Sequence, residues 1–379
     1  MSAASRRTAD VVIIGAGILG VVTAWRLATL RAGRIWLLEA RMPGAGATGR
    51  SGALIRSNYD DETEARLAQA SIGFFRNFAE VVGGACGWRQ TGLLVVDSGS
   101  AGPPGDRVAR QRDWGVDISV IDPTVCAELA PGVRVDDAVG LAWQASGGHC
   151  DPIATLRSLM SAAVCAGVQL RMDARATAIG NDHVVLDSGE VIPAGIIVVA
   201  SGQSSNELLA TVGLDYGLTP RWSPIGFFRT MRSGDVAPPI IVDELQSAWF
   251  KPDGDDGVLV GADRCGVLAP TTAQVLDLPS QDRVEIFRQV LSHRFPKRDA
   301  TGFSGARAGV YVMSPDGRPL VGAVERRPGL FLAVGDSGGA FKIAPALGEA
   351  LAQTIVSQRS EIDIASLSPD RLLPPSSAG

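Results

Sequence analysis

The N-terminal segment limits most sharply what this chain can become. Asp10 to Ile14 reads D-V-V-I-I, a β-branched run of the kind that is buried on both faces in a parallel sheet. Gly15-Ala16-Gly17-Ile18-Leu19-Gly20 follows at once, and Val21 to Ala32 has a helical pattern. In such a strand-turn-helix unit Gly15 permits the tight turn and Gly17 lets the backbone approach a pyrophosphate. Gly20 lets the helix pack closely on the strand. The helix start then offers free N–H groups and a partial positive charge to phosphates. A second strand, Arg34 to Leu38, ends at Glu39, 24 residues after Gly15, where an acid can accept hydrogen bonds from ribose hydroxyls. The expectation is an α/β, Rossmann-like dinucleotide site.

The loop after that acid selects the dinucleotide. Ala40 leads into Arg41 to Arg56, R-M-P-G-A-G-A-T-G-R-S-G-A-L-I-R. The small residues Ala47, Thr48, Ser51, Gly52 and Ala53 let backbone come close to something extended and flat. An isoalloxazine with its ribityl chain fits that, so FAD is expected rather than NAD. Near the other end, Leu330 to Val334 reads as a strand broken by Gly335, Gly338 and Gly339, with a helix from Pro345 to Ile355. That turn, through Ala340 and Phe341, presents N–H groups that would stabilise negative charge on a reduced flavin.

Composition narrows the class further. The 45 glycines among 379 residues form no repeat, as close backbone approaches require. A net charge of -5 argues against a general nucleic-acid binder. His149, His183 and His293 are scattered, so no multi-histidine metal site is expected. Five cysteines without a CxxC pair suit reduced thiols in a cytoplasmic protein. No apolar run is long enough for a membrane span, and the glycines of the N-terminal segment argue against a signal peptide. Ser98 to Gly105 reads as a surface loop, and Ser368 to Gly379 as a frayed tail.

Several segments in order resemble FAD-dependent oxidoreductases of the D-amino-acid oxidase superfamily, in the branch of sarcosine oxidase, glycine oxidase and related amine dehydrogenases. They are Gly148-His149-Cys150-Asp151-Pro152, the stretch Ile196 to Gly202, Gly309 to Gly322 (G-V-Y-V-M-S-P-D-G-R-P-L-V-G) and Gly329 to Leu351, together with the N-terminal motif. The resemblance implies a FAD domain built from 8–90, 145–215 and 302–379. A discontinuous antiparallel-sheet substrate domain would take 91–144 and 216–301. It places Ala174, Ala200, Ser201, Gly202 and Gly309 at the cofactor. It also implies a carboxylate clamp of Arg56 and Lys342, with Tyr311 as an active-site tyrosine.

The implied reaction oxidises the C–N bond of an amino acid or secondary amine to an imine while the flavin is reduced. A 2-hydroxy-acid oxidase or dehydrogenase, or a flavoprotein subunit of an electron-transfer complex, are the alternatives. Gly309 stands where the family's tethering cysteine would be, so noncovalent FAD is expected, with Cys150 and Cys265 as fallback tethers. Leu259 stands where an oxygen-activating lysine would be, which leaves O2 and a quinone or other carrier both open as acceptor. Asp263 replaces a substrate-site histidine.

Overall fold

In the computed structural model, residues 9–230, 236–268 and 279–373 are described. The described residues form two large sheets and one small one. In the first, five parallel segments lie in the order 169–171, 35–38, 9–14, 194–199, 330–334. Strand Leu320–Ala323 adds antiparallel at one edge, and a hairpin spanning 176–186 continues the other half of strand Val191–Val199. The order reverses between the strand 9–14 and the strand 194–199, and the crevice beyond such a switch point is where open α/β sheets bind ligands.

Alternation in the first strand explains why it sits in the middle. Val11 and Ile13 pack with Val21, Val22 and Leu27 of the helix Ile18–Thr29 on one face. Val12 and Ile14 pack with Val184, Leu186 and Leu208 on the other. A strand apolar on both faces has to be covered on both. The helix Ala340–Ser357 lies against Ile18–Thr29, and a Cβ on Gly348 would come within 2.6 Å of Val22 Cγ1.

The second sheet is mainly antiparallel. Its central strand Thr219–Arg229 pairs with Gly257–Ala262 and with Phe303–Met313. Beyond them come Ala248–Asp253, Ile240–Asp243, Leu93–Asp97 and Gly140–Gln144. Helix Gln281–Arg294 covers one face through Phe287, Val290 and Leu291 against Phe228 and Phe250. Strand Phe303–Met313 lies in this sheet, while its end touches the turn after strand Leu330–Val334 of the first sheet through a bridge between Met313 and Asp336. No helix among the described residues is long and apolar enough to cross a membrane.

Local boundaries differ from the sequence reading in five places. The first helix begins at Ile18 rather than Val21, because Gly17 already serves as its N-cap. The last helix begins at Ala340, so Pro345 lies inside it, in its second turn, where it supplies no N–H to the carbonyl of Phe341. Pro252 and Asp253 extend their strand, and the turn falls at Gly254, where φ is +66°. The expected tail is ordered through residue 373, since Arg371 reaches the Asp316 carboxylate at 2.8 and 3.1 Å; residues 374–379 lie outside the described ones. The loop at 98–105 gives way to a helix starting at Pro104.

Candidate active site

A crevice of about 930 Å3 opens at the switch point between the two sheets. That is the upper end of small-molecule pocket sizes, roughly 300–1,000 Å3. Its dinucleotide end is built largely from backbone. Gly15 adopts φ +107°, and a Cβ there would lie 2.4 Å from the Ala200 carbonyl oxygen. A Cβ on Gly20 would lie 2.0 Å from the Gly15 carbonyl oxygen. Gly15 therefore brings the turns after two neighbouring strands together, and Gly20 lets the helix start sit under them.

Glu39 is fixed beside this turn. Its Oε2 accepts from Ala16 N at 2.9 Å and its Oε1 from Arg41 N at 2.9 Å. Thr48 Oγ1 accepts from Ile18 N at 3.0 Å, which folds the Gly-rich loop over the helix N-terminus. Farther along this loop Ala53 holds a left-handed φ of +51°, an unusual conformation for a residue with a side chain. At Gly52 a Cβ would meet Trp249 Cη2 at 2.6 Å. The loop thus passes directly under an aromatic ring of the second sheet.

The C-terminal turn closes the opposite wall. Gly335 and Gly338 take φ of +65° and +82°, and a Cβ on Gly338 would reach the Tyr311 ring at 3.4 Å. Ser337 between them is also left-handed, at φ +50°. Asp336 Oδ2 accepts from Ala340 N at 3.1 Å and caps the final helix at the crevice wall. Burial raises the Asp336 carboxyl above the ordinary carboxylate range.

Side chains dominate the other end. Arg56 and Lys342, from separate segments, both lie against the Tyr59 ring. The Arg56 guanidinium carbon is 4.9 Å from its centroid and Lys342 Nζ is 5.6 Å. Arg56 is held by Asn58 O and Oδ1 at 2.8 and 2.9 Å. Burial, and next the Arg56 charge, pull Lys342 down to about 7, against the pull of Glu64 and Asp336. Burial pushes the Tyr59 phenol far up, so it stays protonated, yet its hydroxyl is buried with no hydrogen-bond partner among the described residues. Burial raises Tyr311 as well. At the crevice mouth Arg107, itself buried, bridges Asp60 and Glu244 at 2.6 Å each and ties the loop beyond Arg56 to the second sheet.

These features suit a flavin dinucleotide. Side chains are missing where a close-lying cofactor needs room, and the starts of two helices line the crevice. Every residue that the sequence assigns to the site lies on the crevice wall except Gly20 and Gly339, which shape the turns behind it. Sequence reasoning missed Tyr59, Trp249, Asp336 and Arg107. Only Asp336 left a signal, an acid set among Gly335, Gly338 and Gly339. Two sequence-level arguments change. Leu259 does not reach the crevice but lines a second cavity, so it says nothing about the acceptor. Cys150 faces that same second cavity, and the side chain of Cys265 lies outside the described ones.

Residues 10–354 match the family described as FAD dependent oxidoreductase. Mitochondrial sarcosine dehydrogenase of Mus musculus is 26% identical over 94% of this chain, which spans only 40% of that protein's length. Glycine oxidase of Pseudomonas putida is 24% identical, covering 95% of this chain and 98% of its own. The structure of L-proline dehydrogenase from P. horikoshii superposes with a TM-score of 0.86 at 23% identity, covering 96% and 98% of the two chains. The family match takes in both glycine turns, the Gly-rich loop and the Arg56–Lys342 pair, so this chain belongs to the FAD dependent oxidoreductases.

Proposed function

We propose that this chain oxidises the C–N bond of an amino acid or secondary amine bearing a carboxylate, using noncovalently held FAD. The observation that carries this reading is the convergence of Arg56 and Lys342 on Tyr59 at one end of the crevice. Arg offers a planar fork and Lys a compact charge, and the pair suits a carboxylate better than a neutral group. The relatives named as sarcosine dehydrogenase and glycine oxidase support a substrate of this kind.

Gly15, Gly17 and the start of helix Ile18–Thr29 would cradle the pyrophosphate, with Glu39 at the ribose. The turn 335–340 would meet the flavin's polar edge. When bound, FAD accepts two electrons and a proton, formally hydride, from the substrate carbon, and water hydrolyses the resulting imine. The protein's own part is to position and to balance charge. Arg56 and Lys342 would fix the carboxylate and so place the α C–H. Tyr311, on the crevice wall, stays protonated, available as a donor and unsuited to act as a base, while Tyr59 backs the Arg56–Lys342 pair from behind the wall. Neither Cys nor His lines the crevice among the described residues, which favours a cofactor held without a covalent tether.

Anaerobic mixing of the flavin-loaded protein with D-amino acids, N-methyl amino acids, imino acids and hydroxy acids tests this. Bleaching by a member of the first three classes is expected. Bleaching by hydroxy acids alone would assign the 2-hydroxy-acid chemistry, and bleaching by none would leave an electron-transfer subunit. Acid denaturation should release the flavin into the supernatant. Reoxidation with O2 or a quinone then identifies the acceptor.

A further inference from the structure

Behind the cofactor loop lies a second cavity, of about 650 Å3. One wall is the face of the second sheet that carries Lys251 and Leu259, register partners on adjacent strands. The other wall is the segment from His149 to Pro152. Nothing in the proposed reaction uses this space.

Lys251 is only 7% exposed, yet its ammonium makes no hydrogen bond or ion pair among the described residues. Arg307 enters the same cavity. One of its amino groups donates to Ser51 O at 2.6 Å, while its Nε is buried without an acceptor. Three acids also border the cavity, but none forms an ion pair with Lys251 or Arg307. Asp151 Oδ1 is committed to Ile153 N and Ala154 N at 2.8 Å each. Asp253 ends its strand and exposed Asp255 follows in the turn; with Asp151, Asp253 favours the charged forms of Lys251 and Arg307 from a distance, without contact. Burial, with Lys251 and Arg89 next, takes His149 down to about 4, so it adds no positive charge at neutral pH and can serve as a neutral polar wall.

A buried ammonium and a half-buried guanidinium facing one cavity, with Arg89 also on its wall and no carboxylate in direct contact with either, are costly to bury, and a methionine in place of Lys251 would fill similar volume without that cost. A bound anion removes the difficulty. We propose that this cavity binds a small oxyanion, with carboxylate or phosphate oxygens held between Lys251 Nζ and the Arg307 guanidinium. Burial and Arg307 pull Lys251 down to about 8, against the pull of Asp253 and Asp151, and a bound anion would add to that opposing pull. Arg307 also holds the backbone of Ser51, which lines the crevice. Occupancy is therefore transmitted to the cofactor loop.

The site is separate from the crevice, so its test does not depend on the substrate proposed above. Flavin-loaded protein carrying Arg56→Met and Lys342→Met, which removes the competing clamp, is titrated calorimetrically with acetate and, separately, with inorganic phosphate. Saturable binding of either is expected, with a small change in the flavin spectrum. Acetate alone would identify a carboxylate ligand, and phosphate alone a phosphate ligand. Adding Lys251→Met should weaken binding at least tenfold while FAD stays bound. As a second readout on the unaltered holoprotein, the bound anion should slow acylation of Lys251, followed by peptide mass spectrometry. The proposal is overturned if neither anion binds, if Lys251→Met leaves affinity unchanged, or if acylation proceeds equally fast with and without both anions.

Discussion

The two ends of the crevice solve different problems with different materials. At the dinucleotide end the decisive feature is the absence of side chains: Gly15 and Gly20 leave room where a Cβ would lie 2.4 and 2.0 Å from backbone oxygen. At the other end the decisive feature is the presence of charged side chains, Arg56 and Lys342 against the Tyr59 ring. A cofactor common to many reactions is held by backbone geometry. On the proposed reading, the group that distinguishes one substrate from another is met by side chains. Perturbing the first should abolish the holoprotein, and perturbing the second should leave it yellow but poorly active.

The largest effect is expected at Gly15. Gly15→Ala combines a φ of +107° with a clash against Ala200 O, so the chain should lose FAD or fail to fold, which flavin content and thermal denaturation would report. Full flavin occupancy in that variant would undo the contrast between the two ends. Next comes Arg56→Met, which should keep its flavin and raise the KM of a carboxylate-bearing substrate roughly 30- to 100-fold. Lys342→Met should raise it about tenfold at neutral pH, since only part of its population is charged there. A loss confined to kcat, with KM unmoved, would relocate both residues away from the carboxylate.

The pH dependence sharpens the same contrast. Lys342 titrates at about 7, far below its ordinary value, because burial and Arg56 disfavour the cation. A carboxylate favours that cation. Binding should be tightest below pH 7 and weaken above it, by up to about tenfold per pH unit, until the pKa of the complex is reached. A simple carboxylate without an amine, followed through the flavin spectrum, isolates this from substrate ionisation. Lys342→Met should flatten the slope. The smallest effect belongs to Tyr311→Phe, which removes one hydroxyl and should lower kcat/KM only about fivefold.

The same division explains what was legible in the sequence. The strand-turn-helix at 10–32 and the acid at 39 could be read because their spacing follows from backbone geometry, which few residue types satisfy. The boundary errors were local: Gly17 capped the first helix earlier than its apolar pattern suggested, and Pro345 proved tolerable inside the last helix. Arg56, Lys342 and Tyr311 could be named only through resemblance, since nothing local marks an arginine in a loop as facing a cavity. Tyr59 and Trp249 escaped notice because their roles arise where segments distant in the chain meet. Leu259 misled because a position inferred for one strand says nothing about which cavity that strand faces.

The most direct test is anaerobic reduction of the bound flavin by matched pairs of amines with and without a carboxylate, in the unaltered protein and in Arg56→Met/Lys342→Met. The account predicts that the carboxylate-bearing member bleaches the flavin much faster, and that the double substitution removes this preference while FAD stays bound. Equal bleaching by both members in the unaltered protein, or a protein that takes up no FAD, would contradict it.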